Sequence, residues 1–296
     1  MKKQFLMIAI GLMTIGMILI SSSLVTAQSA SEFTVPLSDP AKRGKLKATL
    51  NYGSIVIKGT ARKDVLVKYK AVSDDACEDC DDEDEEHNHS RNDNQNDDDN
   101  VKSREGLKKI GGGGIDLEVV EDNNFVRVAS QSWNQKLDLE IEVPSGMDME
   151  ISTHNEGELT VSNIQGAVEL TNYNGEITAL GISGSVVATT YNGEIKVVFD
   201  KVADGAPMSF STYNGDIDIT FPAALKASFK MKTERGEILT GFGDMKLNSA
   251  GPVQKKDTKA GVYRVVVDDW KRGDVNGGGP EMTLKNYNGD IYVRKK

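Results

Sequence analysis

The stretch Tyr-Asn-Gly-Glu-Ile at residues 173–177 decides the fold of this chain, because the chain repeats it. Three further copies, with Glu or Asp at the fourth position, occupy residues 191–195, 213–217 and 287–291. Degenerate copies occupy residues 51–55, 153–159 and 233–238. The first three copies begin 18 and 22 residues apart, a spacing typical of proteins that stack one short unit on the next. The pattern therefore predicts a repeat architecture.

Apolar and polar residues alternate on both sides of each copy. Val168 and Leu170 precede the first copy, and Ile177 and Ala179 follow the turn that it forms. Strict alternation predicts short strands with one buried face, and Asn-Gly tolerates the positive φ of a tight corner. No segment beyond the N-terminal region has a helical period, so the sequence predicts an all-β protein.

Two all-β arrangements fit these corners. In a parallel β-solenoid, resembling a β-helix, coils of about 18–22 residues stack so that each corner lies on the previous one. In a stacked-hairpin sandwich, each Asn-Gly would instead join an antiparallel pair. The near-identity of the corners favours the solenoid, in which Ile177, Ile195 and Ile217 should form one interior column.

The first 27 residues are typical of an export signal. Lys2 and Lys3 precede an uncharged apolar run at residues 5–20, and residues 25–27, Val-Thr-Ala, fit a cleavage site. The apolar stretch is also long enough to remain as a membrane anchor. We expect cleavage, no membrane span afterwards, and an exported protein that is periplasmic, on the outer surface or secreted.

Residues 74–114 interrupt the strand pattern. The whole chain has a formal net charge of −10, and residues 74–100 alone hold 14 Asp and Glu against the single Arg91. Such a composition cannot bury a core, so we expect a disordered acidic insertion between N-terminal strands at 28–73 and a repeat domain at 115–296. Nucleic acid is excluded as a partner, because phosphate binding requires a basic face.

The insertion contains four candidate metal ligands, Cys77, Cys80, His87 and His89. Thiolates and imidazoles suit zinc or copper, but this spacing departs from that of structural zinc modules. In an oxidising compartment the two cysteines can form a disulfide instead. The favoured interpretation is a solvated acidic loop without a dedicated cofactor, with weak binding of Ca²⁺ or another divalent cation as the alternative.

The tyrosines of the repeat form a candidate ligand surface, Tyr173, Tyr191 and Tyr213. On the surface of stacked coils they could offer aromatic faces to sugars. The other interpretation is that the rings stack on one another and seal a corner. The neighbouring carboxylates of the repeat, Glu176, Glu194 and Asp216, are expected to form a solvated edge.

Three features together resemble the bacterial family of adhesin-like β-strand-repeat domains. They are the alternating run at 137–143 that ends in Pro144-Ser145-Gly146, the Tyr-Asn-Gly-Glu-Ile units, and the C-terminal stretch 286–296. The resemblance covers residues 33–73 and 115–296. It implies export and a β-solenoid fold, and it supplies neither a biochemical activity nor functional residues.

The function predicted from these observations is that of a non-enzymatic cell-envelope protein, an adhesin or a structural surface module. Its partner would be an envelope or extracellular glycan or protein. Motifs for nucleophilic, phosphate-binding or zinc-dependent catalysis are missing from the sequence. The alternatives are a carbohydrate-active enzyme on a β-helix and a periplasmic cation-binding protein that uses the acidic insertion.

Overall fold

The computed structural model describes residues 31–72, 115–248, 257–259, 262–264 and 270–296. Within these ranges the chain is all-β and contains no helix, which confirms the predicted class at that level. It follows that no described helix is long and apolar enough to cross a membrane. The predicted signal at 1–27 and the acidic insertion at 74–114 lie outside the described residues and stay predictions.

The strands of the first half of the chain are β1 (Ser31–Pro36), β2 (Lys45–Tyr52), β3 (Ile55–Thr60), β4 (Asp64–Val72), β5 (Glu118–Asp122), β6 (Phe125–Ser130), β7 (Lys136–Pro144), β8 (Asp148–Asn155), β9 (Leu159–Ser162), β10 (Ala167–Asn172) and β11 (Ile177–Thr189). Those of the second half are β12 (Ile195–Val202), β13 (Met208–Ser211), β14 (Ile217–Phe221), β15 (Ala227–Lys232), β16 (Ile238–Thr240), β17 (Lys246–Asn248), β18 (Asp257–Lys259), β19 (Val262–Arg264), β20 (Lys271–Val275), β21 (Glu281–Lys285) and β22 (Ile291–Lys295).

The strands form two sheets around one apolar core. The first sheet has the order β1–β4–β7–β3–β9–β11–β12–β14–β22–β16. The second has the order β5–β6–β2–β8–β10–β11–β13–β21–β15–β20–β17. Strand β11 belongs to both sheets: it pairs in the first as far as Gly184 and in the second from Ser185. Its pairing register shifts at Gly181, where φ is 65°. Strands β18 and β19 form a separate hairpin.

Each Asn-Gly corner joins a strand of the second sheet to a strand of the first. We call one such strand–corner–strand unit a coil. Strands of neighbouring repeat coils pair in parallel, and Ile177, Ile195 and Ile217 are in register and fully buried. The strands on either side of these corners do not pair with each other, so the hairpin alternative is wrong here.

Both sheets are nevertheless mixed, which corrects the prediction of a parallel arrangement throughout. Antiparallel pairs lie at both ends of the stack, namely β1–β4, β4–β7, β5–β6, β15–β20 and β17–β20. Tight turns allow some of these antiparallel pairs to form. The turn between β5 and β6, for example, contains Asn123 and Asn124, whose φ values are 52° and 64°. The added strands cover the edges of the parallel stack, which would otherwise present unpaired backbone groups.

The coils do not stack in the order of the sequence. The β2–β3 coil lies between the β6–β7 unit and the β8–β9 coil. At the other end, the β21–β22 coil lies between the β13–β14 and β15–β16 coils. Two coils, one from near each end of the chain, are therefore each inserted between two coils that are closer in sequence to each other than the inserted coil is to one of them.

The inward residues of both sheets fill one continuous core. Phe199 and Phe221 are fully buried, and their rings stack with centroids 5.2 Å apart. Phe229 packs against Phe221 edge to face at 5.7 Å. Burying one such side chain stabilises the fold by about 1.5–3 kcal/mol. The core thus fixes the coils in register and positions the corner residues above one another.

Candidate binding surface at the repeat corners

Glycine is required at the repeat corners because the coils approach closely there. Gly175 and Gly215 have φ of 148° and 134°. A Cβ atom added at Gly215 would lie 2.2 Å from the carbonyl oxygen of Gly193 in the neighbouring coil. A side chain at this position would therefore force the coils apart.

The corner asparagines form a hydrogen-bonded ladder. Asn192 Nδ2 donates to Asn174 Oδ1 at 2.8 Å, and Asn214 Nδ2 donates to Asn192 Oδ1 at 2.7 Å. Asn288 Nδ2 extends the ladder to Asn214 Oδ1 at 2.6 Å. Identical side chains can bond in this way because parallel, in-register stacking places each one above the last.

A second column, just inside the corner, binds the glycine carbonyls. Thr190 Oγ1 donates to Gly175 O at 3.1 Å, and Thr212 Oγ1 donates to Gly193 O at 3.0 Å. The residues at the same place in other coils are Thr153, Asn172, Asn286 and Thr233, and each donates to the corner glycine of its neighbour. In the two asparagines, the Oδ1 atom is buried and has no hydrogen-bond partner.

An aromatic ladder runs along the outer side of the corners. It consists of Trp133, His154, Tyr173, Tyr191, Tyr213 and Tyr287. From His154 to Tyr287 the rings stack with centroids 4.6–5.1 Å apart and interplanar angles of at most 18°. Trp133 covers one end, edge-on to His154 at 5.3 Å, and the guanidinium of Arg235 lies 5.7 Å from the Tyr287 centroid at the other.

Each inner ring has a neighbouring ring on both faces, so solvent reaches only the ring edges. Tyr173, Tyr191 and Tyr213 are 45%, 43% and 39% exposed. The structure thus shows the ring-on-ring stacking that the sequence offered as one alternative. It leaves no open ring face on which a sugar could stack within the ladder. The ligand surface stays a prediction, with ring edges and hydroxyls as its available groups.

A row of hydroxyl side chains lies beside the aromatic ladder on the outer face of the second sheet. Its members are in register across neighbouring strands and are Thr49, Ser152, Thr171, Thr189 and Ser211. Ser152 Oγ donates to Thr49 Oγ1 at 3.2 Å. We refer to the aromatic ladder and this hydroxyl row together as the ladder face.

Carboxylates follow the corners on the first sheet, but Glu194 and Asp216 are half-buried and do not form the fully solvated edge that the sequence predicted. Asp216 Oδ1 accepts a hydrogen bond from the Asp290 amide at 2.8 Å, and Asp290 Oδ1 accepts one from the Glu237 amide at 2.8 Å. Partial burial, reinforced by the nearby Glu176 carboxylate, raises the pKa of Glu194 above its usual range. In the described part of the chain, no group of three or more His, Cys, Asp and Glu is placed to hold a metal ion.

Sequence reasoning located part of this surface. Tyr173, Tyr191 and Tyr213 lie in the ladder, and a fourth full copy of the motif could have added Tyr287. The degenerate copy at 153–159 held the signal for His154, whereas no repeat pattern marks Trp133. The metal candidates Cys77, Cys80, His87 and His89 lie outside the described residues.

The sequence profile of the Toastrack DUF4097 family matches residues 109–276, more than half of the chain. The chain belongs to this family. The matched range excludes both inserted coils, β2–β3 and β21–β22. No curated protein sequence matches the chain significantly.

Two solved structures align with this Toastrack chain over most of its length. One is a candidate cell adhesion protein from Clostridium sporogenes, at 10% identity and a TM-score of 0.41, covering 90% of this chain and 100% of the other. The second is a candidate adhesin from Bacteroides fragilis, at 9% identity and a TM-score of 0.34, covering 91% and 98%.

Proposed function

We propose that this protein is an exported, non-enzymatic surface module of the cell envelope that binds a linear polysaccharide along the ladder face. One observation carries the proposal. Four successive coils present the same pair of groups, an aromatic edge and a hydroxyl, as His154 with Ser152, Tyr173 with Thr171, Tyr191 with Thr189, and Tyr213 with Ser211.

A repeated surface suits a repeated ligand. Neighbouring strands lie about 4.8 Å apart, which is close to the length of one sugar unit in an extended chain. A polysaccharide that runs along the stack could therefore place one sugar on each coil. Each contact would be weak, but contacts on one chain reinforce one another because the second and later ones are intramolecular.

The parallel-paired coils would act as a β-solenoid scaffold for this surface. The asparagine ladder and the glycine-binding column fix every corner before any ligand arrives, so that little ordering is needed on binding. The carboxylates that follow the repeat corners also favour a non-enzymatic role. They recur once per coil, whereas glycoside hydrolysis requires one dedicated pair at a single position.

The test is a binding titration with neutral xylo-oligosaccharides and acidic alginate oligosaccharides of increasing length. Affinity should rise with each added sugar and level off once the chain spans the ladder. Replacing Tyr173, Tyr191 and Tyr213 together by Phe removes three hydroxyls and keeps the rings. This variant should bind about ten-fold or more weakly, because each lost hydrogen bond costs about 0.5–1.5 kcal/mol.

The matched control is the pair Tyr69→Phe and Tyr292→Phe, which removes hydroxyls outside the ladder. It should bind like the unmodified protein, and circular dichroism should be the same for all variants. Absence of binding to every oligosaccharide, or equal losses in the ladder variant and the control, would contradict the proposed function. So would cleavage of an oligosaccharide by the purified protein.

A further inference from the structure

The repeat pattern of the ladder face breaks at one end, where three breaks introduce a cation and one, Glu234 at the tyrosine position, introduces an anion. The hydroxyl row continues in register from Ser211 to Lys285 and then to Lys232. The asparagine ladder likewise continues from Asn288 to Arg235, which form a parallel bridge. In the four coils from β8–β9 to β13–β14 these positions hold Thr or Ser and Asn. Cations therefore replace neutral side chains at three neighbouring positions of the hydroxyl row and the asparagine ladder, namely Lys285, Lys232 and Arg235.

This end of the ladder face has a positive charge excess. Lys285 and Arg235 are exposed. Lys232 pairs with the Glu234 carboxylate at 2.6 Å. Farther from the corner on β15, Lys230 lies 4.7 Å above the Trp270 ring. Among the described residues, Lys285 and Arg235 thus add two exposed cations beside the ion pair of Lys232 and Glu234.

The cations at the opposite end of the same sheet lie away from the hydroxyl row, and two of them share one carboxylate. Lys45 and Lys47 both bind the Glu150 carboxylate. These contacts raise the pKa of Lys45 and lower the pKa of Glu150, as expected for a satisfied ion pair. The middle of the hydroxyl row is uncharged. Arg127 is exposed beside Lys47, so both ends of the sheet carry cations, but among the described residues cations occupy the hydroxyl row and the asparagine ladder only at the basic end, the one formed by β21 and β15.

We propose that the polysaccharide bound by the ladder face is an acidic glycan that carries uronic-acid carboxylates, and that Lys285, Lys232 and Arg235 select it. This inference rests on the proposed function. Arginine and lysine form charge-assisted hydrogen bonds with carboxylates, and such bonds are stronger than those between neutral groups. Because the patch is exposed, its contribution falls as the salt concentration rises.

The chain itself provides the test variant. Changing Lys285→Thr, Lys232→Thr and Arg235→Asn restores the residues of the other coils, so the fold should accept them. The control carries the same change in charge on the first sheet, as Lys58→Thr, Lys196→Thr and Lys201→Thr. Each protein is titrated with alginate oligosaccharides and with the same oligosaccharides after reduction of their carboxylates to neutral alcohols.

The unmodified protein should bind alginate more tightly than the reduced form, and more so at low salt. The restoring variant should lose about ten-fold in affinity for alginate and nothing for the reduced form, as three exposed ion pairs imply. The control should keep the preference. Equal affinity of the unmodified protein for both glycans would overturn this inference and leave the proposed function standing.

Binding to neither glycan would instead refute the proposed function itself. A third outcome is self-association of the protein without alginate binding, abolished in the restoring variant. It would show that the basic end contacts a second copy of the chain and would overturn the glycan assignment.

Discussion

The column that binds the corner glycines predicts a substitution that stabilises the protein. Asn172 occupies a place where Thr153, Thr190 and Thr212 stand in other coils. Its Nδ2 donates to Gly157 O at 2.8 Å, but its buried Oδ1 has no partner. Asn172→Thr would keep the donor to the glycine carbonyl and remove the orphaned acceptor.

The magnitude follows from the cost of that acceptor. A buried polar group without a hydrogen bond costs about 1–3 kcal/mol, and threonine also has the higher strand propensity. Some relaxation around Asn172 offsets part of this gain. We therefore expect Asn172→Thr to raise the free energy of unfolding by about 1 kcal/mol.

The reciprocal change, Thr190→Asn, provides the comparison. It should introduce an orphaned acceptor and lower the free energy of unfolding by about 1–3 kcal/mol. Urea unfolding followed by circular dichroism measures both, and the midpoint should shift while the slope stays constant. If Asn172→Thr destabilises the protein as much as Thr190→Asn does, threonine and asparagine are not equivalent glycine-binding groups and the argument fails.

Four further changes test the packing of the coils, the contribution of the acidic insertion to stability, and the raised pKa of Glu194. Gly215→Val should lower the free energy of unfolding by more than about 2 kcal/mol, because it adds a β-branched residue at positive φ and a clash with the next coil; an unchanged urea midpoint would contradict this. Deletion of residues 276–296 should abolish cooperative unfolding, since it removes the inserted coil β21–β22, whereas deletion of residues 75–113 should shift the melting temperature by only a few degrees. Glu194→Gln should stabilise the protein at neutral pH: the raised pKa favours the protonated form in the folded state, so stability falls as pH rises through the folded pKa, and the variant should lack that fall.

The sequence predicted the local structure well because the repeat imposes it. Alternation and the Asn-Gly corners were enough to place Ile177, Ile195 and Ile217 in one buried column. The order of the coils was not predictable in this way. Nothing in the composition of β21–β22 distinguishes a coil at the end of the stack from one inserted between two others, because every coil presents the same edges to its neighbours.

The candidate surface was predictable only in its regular part. The tyrosine column follows from the repeat, but Trp133 joins it from an irregular connection between β6 and β7, where no period operates. The basic end can be recognised in the sequence only once the pairing register of the strands is known. Lys285 and Lys232 lie 53 positions apart in the chain, and parallel pairing makes them neighbours.

The most direct test of the central claim is an NMR titration of the tyrosine rings. The chain contains eight tyrosines, and four of them belong to the aromatic ladder. Selective labelling of the ring carbons with ¹³C would report contact at each ring edge as alginate oligosaccharides are added. The account predicts that Tyr173, Tyr191, Tyr213 and Tyr287 shift together at one saturating concentration, while Tyr69 stays unchanged. Shifts at Tyr69 alone, at a single ladder tyrosine, or at none would contradict the claim that the stacked corners form one continuous binding surface.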